Sequence, residues 1–202
     1  MIPPVSAAIV AGGASSRMGS PKGLLEYDGK PFLTRILDVL ETLSEDLICV
    51  TCRPEEYDFE KQRLRFVPDY GGEPRGPLSG IMGALSAARH PLCIVVAVDM
   101  PFLNGRVLGY LAEQAEGVDA VLPVIEGDRL ECLHAVYRDT CLPHGEEALL
   151  QGRLRVSRFL SDLKVKRVTA ADLGMIGEGT GSFENINTPE QWISALRGTG
   201  PG

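Results

Sequence analysis

Leu92-Cys-Ile-Val-Val-Ala-Val-Asp99 is the stretch on which the reading of this chain turns. Its seven apolar residues come in unbroken succession, without the alternation of a half-exposed strand. Such a run fits a strand covered on both faces, as in a parallel sheet. It ends on a carboxylate, and open α/β sheets bind ligands just beyond the carboxyl ends of their strands. Asp99 therefore stands where a site is expected. The plainer alternative is a turn or helix-capping aspartate ahead of Pro101.

Outward from this run, strand signals alternate with helical ones. Val5 to Ala11, Leu47 to Thr51 and Leu64 to Pro68 read as strands, the last ending at Asp69. Between the first two, Pro31 suits the first turn of a helix, and Leu33, Ile36, Leu37, Leu40 and Leu43 follow at helical spacing. A short helix is expected over 55–61. After a Gly/Pro-rich segment, Leu78, Ile81, Met82 and Leu85 mark a helix whose second face (Gly80, Gly83, Ala84, Ala87) is small enough for close approach to a neighbour or a ligand. Beyond Asp99, Asn104 can cap a helix through Val107, Leu108 and Leu111 that Gly117 closes. This alternation predicts an α/β fold with a doubly wound, mostly parallel sheet.

The pattern then changes. Ala120 to Ile125 and Leu130 to Tyr137 read as strands joined through Glu126-Gly-Asp-Arg129, an antiparallel excursion. Helices follow over 143–150 and around Val156, Phe159, Leu160 and Leu163, then strands over 164–169 and 182–187. Thr188-Pro-Glu-Gln191 opens a last helix as a capping box with Pro at its first position. Trp192, Ile193 and Leu196 form its apolar side, and residues 198–202 read as a frayed tail. At 202 residues the chain is expected to form one domain, 1–202.

Composition narrows the function. The chain is 44% hydrophobic and 23% charged, with a net charge of −7, so its global field does not favour nucleic acid. Residues 1–4 carry no basic side chain and the apolar run after them is too short for a signal peptide or membrane span, so neither is expected here, and five cysteines, an odd number, suit a reducing cytoplasm. Cys49 and Cys52 have C-x-x-C spacing but read as part of one strand, where they face opposite sides. They are expected to be core-lining thiols. Among His90, His134 and His144 no metal spacing appears; His134, on a strand, reads as a packed residue or a substrate contact.

The first strand runs into Ala11-Gly-Gly-Ala-Ser-Ser-Arg-Met-Gly-Ser-Pro-Lys22. Glycine-rich turns present successive amides as an anion-binding concavity, and Arg17 and Lys22 add charge. A P-loop is excluded because five residues, not four, separate Gly13 from Gly19, and Ser20-Pro21 precede the lysine. A dinucleotide fingerprint is excluded by the adjacent Gly12-Gly13 pair. What is left is a triphosphate cradle or an ordinary surface loop. Mg²⁺ takes one or two carboxylates plus substrate phosphates, which suits Asp99 at the same sheet edge. Asp69 could hold a base, a ribose or water, or simply form a turn. Asn185 and Asn187, two apart on a strand, could reach a metal, its waters or a phosphate, or stabilise the turn after them. Arg153, Arg155, Arg158, Lys164, Lys166 and Arg167 form either a solvated face or a receiver for a phosphorylated second substrate.

Four segments carry a resemblance: AGGASSRMGSPKGLLEYDGKPF (11–32), PDYGGEPRGPLSGIMGAL (68–85), VVAVDMPFL (95–103) and ENINTPEQW (184–192). In order and spacing they resemble the molybdenum cofactor guanylyltransferase family over about residues 5–197. The first segment alone is similar to many nucleotidyltransferases. The resemblance implies a Rossmann-like fold and transfer of GMP from GTP to the terminal phosphate of molybdenum-molybdopterin, releasing pyrophosphate. It implies that Ala11, Gly12, Gly13, Lys22 and Gly76 bind GTP, Arg17 its phosphates and Asp69 its nucleoside. Asp99 would bind GTP through Mg²⁺, and Asn185 and Asn187 would lie near the reacting phosphates. Thr51 aligns where some members have an asparagine nucleoside contact, and Val10 where many have leucine. Other cofactor-biosynthesis proteins or molybdoenzymes are implied as partners. Two other readings remain open: a cytidylyl- or sugar-phosphate nucleotidyltransferase, and a non-catalytic nucleotide sensor or cofactor chaperone.

Overall fold

A computed structural model describes residues 2–12, 21–60, 62–176, 178, 181–183, 186, 191 and 193. A seven-stranded sheet is built from β1 (Val5–Val10), β4 (Asp46–Val50), β5 (Arg65–Val67), β6 (Leu92–Ala97), β7 (Ala120–Pro123), β8 (His134–Arg138) and β9 (Val165–Val168), in the order β5-β4-β1-β6-β8-β7-β9. Pairing is parallel except at β8, which runs antiparallel to both β6 and β7. A small antiparallel pair, β2 (Glu26–Tyr27) and β3 (Lys30–Pro31), turns at Asp28-Gly29.

The uninterrupted apolar runs are central strands, as expected: β1 and β6 lie side by side and every residue of both is buried. Alternate residues feed two cores. Ala7, Ile9, Ile94 and Val96 meet α1 (Phe32–Leu40) and α3 (Gly105–Glu113) on one face. Ala8, Val10, Cys93 and Val95 meet α2 (Pro77–Ala87), α4 (Leu142–Leu150) and α5 (Val156–Leu160) on the other. The second, small face of α2 lies on the sheet: a Cβ at Gly80 would stand 2.6 Å from Val10 Cγ1, and one at Gly83 2.7 Å from the Pro68 carbonyl. The Asn104 cap forms, its Oδ1 accepting from the Arg106 amide.

At the edge where β1, β4 and β6 begin, Asp46 is 3% exposed and accepts from Ser6 Oγ, the Arg89 amide and Arg65. Burial would raise its carboxyl, but those bonds outweigh burial and hold it below the usual range.

Several expectations need correction. Ser182 and Phe183 lie in a 3-10 turn, Gly181–Phe183, not on a strand. The strand expected from Leu130 begins only at His134, because residues 130–133 bend back with a single bridge between Val124 and Leu130. Strand β4 ends at Val50, so Cys49 is buried within it while Cys52 stands exposed beyond it. The helix expected over 55–61 is a 3-10 segment, Pro54–Glu60, kinked at Tyr57. Helix α6 (Ala170–Met175) has no counterpart in the sequence reading, although Thr169 and Asp172 form its capping box. The expected last helix falls largely outside the described residues. No helix among those described is long and apolar enough to cross a membrane.

Candidate active site

The chain runs β1, β4, β5 to one side of the sheet and then crosses to β6 on the other. The strand order therefore reverses between β1 and β6, the place where open sheets form ligand crevices. A cleft of about 240 Å³ opens there, lined by Ala11, Gly12, Lys22, Asp69, Gly76 and Asp99 among others. Three of the four quoted segments, 11–32, 68–85 and 95–103, are thus brought together by topology.

Lys22 and Asp99 meet across 77 residues, Nζ donating to Oδ2 at 2.7 Å, with both side chains about one-fifth exposed. Glycine at 23 makes this possible: a Cβ there would stand 2.8 Å from Tyr57 and 3.0 Å from Val98. The backbone carrying Lys22 consequently lies directly against the end of the β6 run. An ammonium and a carboxylate in contact, open to a cleft, can separate to serve a bound anion and its counter-cation. A single hard carboxylate with open space beside it fits a divalent metal whose remaining ligands come from phosphates and water.

Asp69 forms the opposite wall and is 2% exposed. Its Oδ1 accepts from Ser79 Oγ at 2.9 Å, and Cys52 Sγ lies 3.7 Å from Oδ2. Oδ2 also lies over the first loop: a Cβ at Gly12 would stand 2.9 Å from it. Gly76, at φ +79°, turns the chain into α2, and its lack of a side chain serves that left-handed conformation.

The segment that leads into β8 closes the third side. Leu133 lines the cleft, and its carbonyl accepts from the Ala97 amide at 2.9 Å. Glu131 Oε1 accepts from the Leu133 amide. Burial pushes the Glu131 carboxyl up, and the charge of Asp99 adds to that rise. Glu131, Leu133, Ser79 and Gly23 were all missed in the sequence reading. Gly23 and Ser79 sat inside quoted motifs, whereas Glu131 sat in a segment read only as a strand.

Other expected residues are placed as follows. Thr51 is buried at the end of β4, its hydroxyl accepting from the Arg53 amide, and it is not among the cleft's lining residues. Arg17, Gly13, Asn185 and Asn187 lie outside the described residues. Ile186, between the two asparagines, is described: its amide donates to the Asp99 carbonyl at 2.9 Å, and its side chain packs with Leu25 and Phe32. None of the six cations from Arg153 to Arg167 lines the cleft, and Arg153 and Lys166 engage Asp162 and Gln114. His134 is a packed residue. It is fully buried, held neutral by burial with its pKa lowered to about 3, and stacked edge-on against Phe183.

Comparison with known proteins gives a consistent answer. Residues 7–168 match the family model described as a MobA-like NTP transferase domain. A protein of Pelotomaculum thermopropionicum named "Probable molybdenum cofactor guanylyltransferase" is 37% identical over 93% of this chain and 89% of its own length. One of the same name from Methanosarcina acetivorans is 36% identical, covering 95% of this chain and 89% of its own. The solved structure of molybdopterin-guanine dinucleotide biosynthesis protein A from Archaeoglobus fulgidus superposes with a TM-score of 0.81 at 28% identity, over 95% of this chain and 97% of that one. A cytidylyltransferase from Thermus thermophilus superposes at 0.71 with 18% identity, over 98% of this chain and 99% of its own, a likeness of fold alone.

Proposed function

The chain belongs to the MobA-like NTP transferase domain family, and on that premise we propose that it transfers GMP from GTP to the terminal phosphate of molybdenum-molybdopterin. The supporting observation is the meeting of Lys22 and Asp99 at 2.7 Å, at the reversal of strand order, opposite Gly12 and Asp69. A terminal phosphate oxygen of the acceptor forms a bond to the α-phosphorus of GTP. The bond from that phosphorus to the bridging oxygen breaks, and pyrophosphate leaves with the electron pair. Two anions must be brought together, so the work of the protein is positioning and charge neutralisation. Lys22, Arg17 and the amides of residues 11–13 receive the triphosphate, while Asp69 and Gly76 receive the nucleoside side. Asn185 and Asn187 hold the reacting phosphates from the C-terminal segment. Asp99 would hold Mg²⁺, which when bound supplies charge neutralisation at the phosphates. The reaction is placed in the cytoplasm, with delivery to other cofactor-biosynthesis proteins or to molybdoenzymes.

A single-turnover assay with purified molybdenum-molybdopterin and each of the four NTPs tests this. The expected result is a guanine dinucleotide product and equimolar pyrophosphate with GTP alone. Asp99→Ala should lower transfer at least 100-fold, on the order of 3 kcal/mol of lost electrostatic stabilisation, with an unchanged thermal midpoint. A tight preference for CTP would sink the guanylyl assignment, and near-normal activity in Asp99→Ala would remove the metal role.

A further inference from the structure

We propose that Ser79 is a positioning residue that sets nucleotide affinity, acting through Asp69; this rests on the nucleotidyl-transfer reading above. Ser79 lies in the third residue of α2, fully buried, and touches three parts of the nucleoside wall at once. Its Oγ lies 2.9 Å from Asp69 Oδ1 and 2.9 Å from the Gly76 carbonyl, and it accepts from the Arg75 amide at 2.7 Å. Its own carbonyl accepts from the Tyr70 amide at 3.0 Å. A serine hydroxyl has one proton, and a carboxylate is the stronger acceptor, so the proton goes to Asp69.

Two consequences follow. The Asp69 carboxylate has Oδ1 committed to Ser79, which fixes its rotation and leaves Oδ2 over Gly12 on the cleft side. The backbone at 75–76 is tied to the same hydroxyl, so the loop and the carboxylate move as one wall. Gly71, Gly72 and Gly76 all have positive φ, which gives the loop other conformations to visit when untied. Without the hydroxyl, a 2% exposed carboxylate loses its buried donor on Oδ1, and the Cys52 thiol, 3.7 Å from Oδ2, is too weak a donor to hold its rotation. Ordering the wall before the ligand arrives removes that cost from binding.

The test measures binding of GTP and of inorganic tripolyphosphate, which shares the phosphates and lacks the nucleoside. Ser79→Ala is expected to weaken GTP about tenfold, the worth of one hydrogen bond to a charged group, and to leave tripolyphosphate within about twofold. Ser79→Cys, of similar volume and weaker as a donor, should shift both in the same directions by less, and it carries the test should Ser79→Ala fail to fold. In a double-mutant cycle, Ser79→Ala added to Asp69→Asn should cost under about twofold more, since the partner it positions is already altered. Equal losses for GTP and tripolyphosphate, or additive losses in the cycle, would overturn the proposal. A wild-type preference for another nucleotide would instead overturn the guanylyl assignment, and Ser79 is then tested with that nucleotide against tripolyphosphate.

Discussion

Gly12 carries more constraint than a flexible loop residue would. The absence of a side chain is required by Asp69, whose Oδ2 would lie 2.9 Å from a Cβ at that position. Real Cβ contacts are essentially never under 3.0 Å, so Gly12→Ala must displace the carboxylate. Its KM for GTP is expected to rise about tenfold, with the thermal midpoint changed by only a few degrees, as steady-state kinetics and calorimetry would check; an unchanged KM would show that Asp69 is not needed there. The sequence made Gly12 legible as a glycine of a phosphate loop, but for a different reason: close approach of a ligand. That Asp69, far along the chain, also needs the space is a tertiary fact no local pattern carries. Gly23 repeats the lesson, since Tyr57 and Val98 fill the space a side chain would take.

The sequence of helix α2 presents one bulky and one small face, and the structure decides what the small face meets. It lies on β1 and on the end of β5, with Gly80 against Val10 and Gly83 against the Pro68 carbonyl. Gly80→Ala improves helix propensity by up to about 1 kcal/mol, yet forces a methyl into Val10 Cγ1, and overpacking costs about 1–3 kcal/mol. Net destabilisation of roughly 1–2 kcal/mol is expected in urea denaturation; a stabilised variant would mean that the helix can back away from the sheet without loss. The segment over 182–187 shows the opposite outcome. A strand is expected there, but Ser182 and Phe183 lie in a 3-10 turn where Ser182 Oγ accepts from the Asn104 amide, and the Ile186 amide donates to the Asp99 carbonyl. Both partners lie far back along the chain, so no local pattern in the sequence carries these bonds.

At the scale of the whole molecule, the strands and their mostly parallel order followed from apolar runs and helical spacing. The reversed strand was anticipated, but its late start at His134 was not, because Leu130 and Leu133 are as apolar as strand residues. His134 itself gives the fold a pH dependence. Its pKa falls from 6.5 to about 3 on folding, through burial, so the unfolded chain binds the extra proton first. Stability should therefore be level above about pH 6.5 and decline as pH falls from there toward 3. Asp46, held below 3.8, adds a further loss at still lower pH as it takes up its proton. Thermal midpoints from pH 7 to 4 should fall in the wild type and fall less in His134→Met; parallel curves would assign the decline to other groups. The reversal of β8 has one more consequence, for how such a protein can diversify. The connection over 124–133 reaches the cleft at Leu133, whereas its other lining residues come from the ends of β1 and β6 and from the segments that follow β1, β5 and β6. Exchanges in that connection would reshape one rim of the cleft and leave the segments after β1, β5 and β6 in place, so one wall of the scaffold can vary independently of the others.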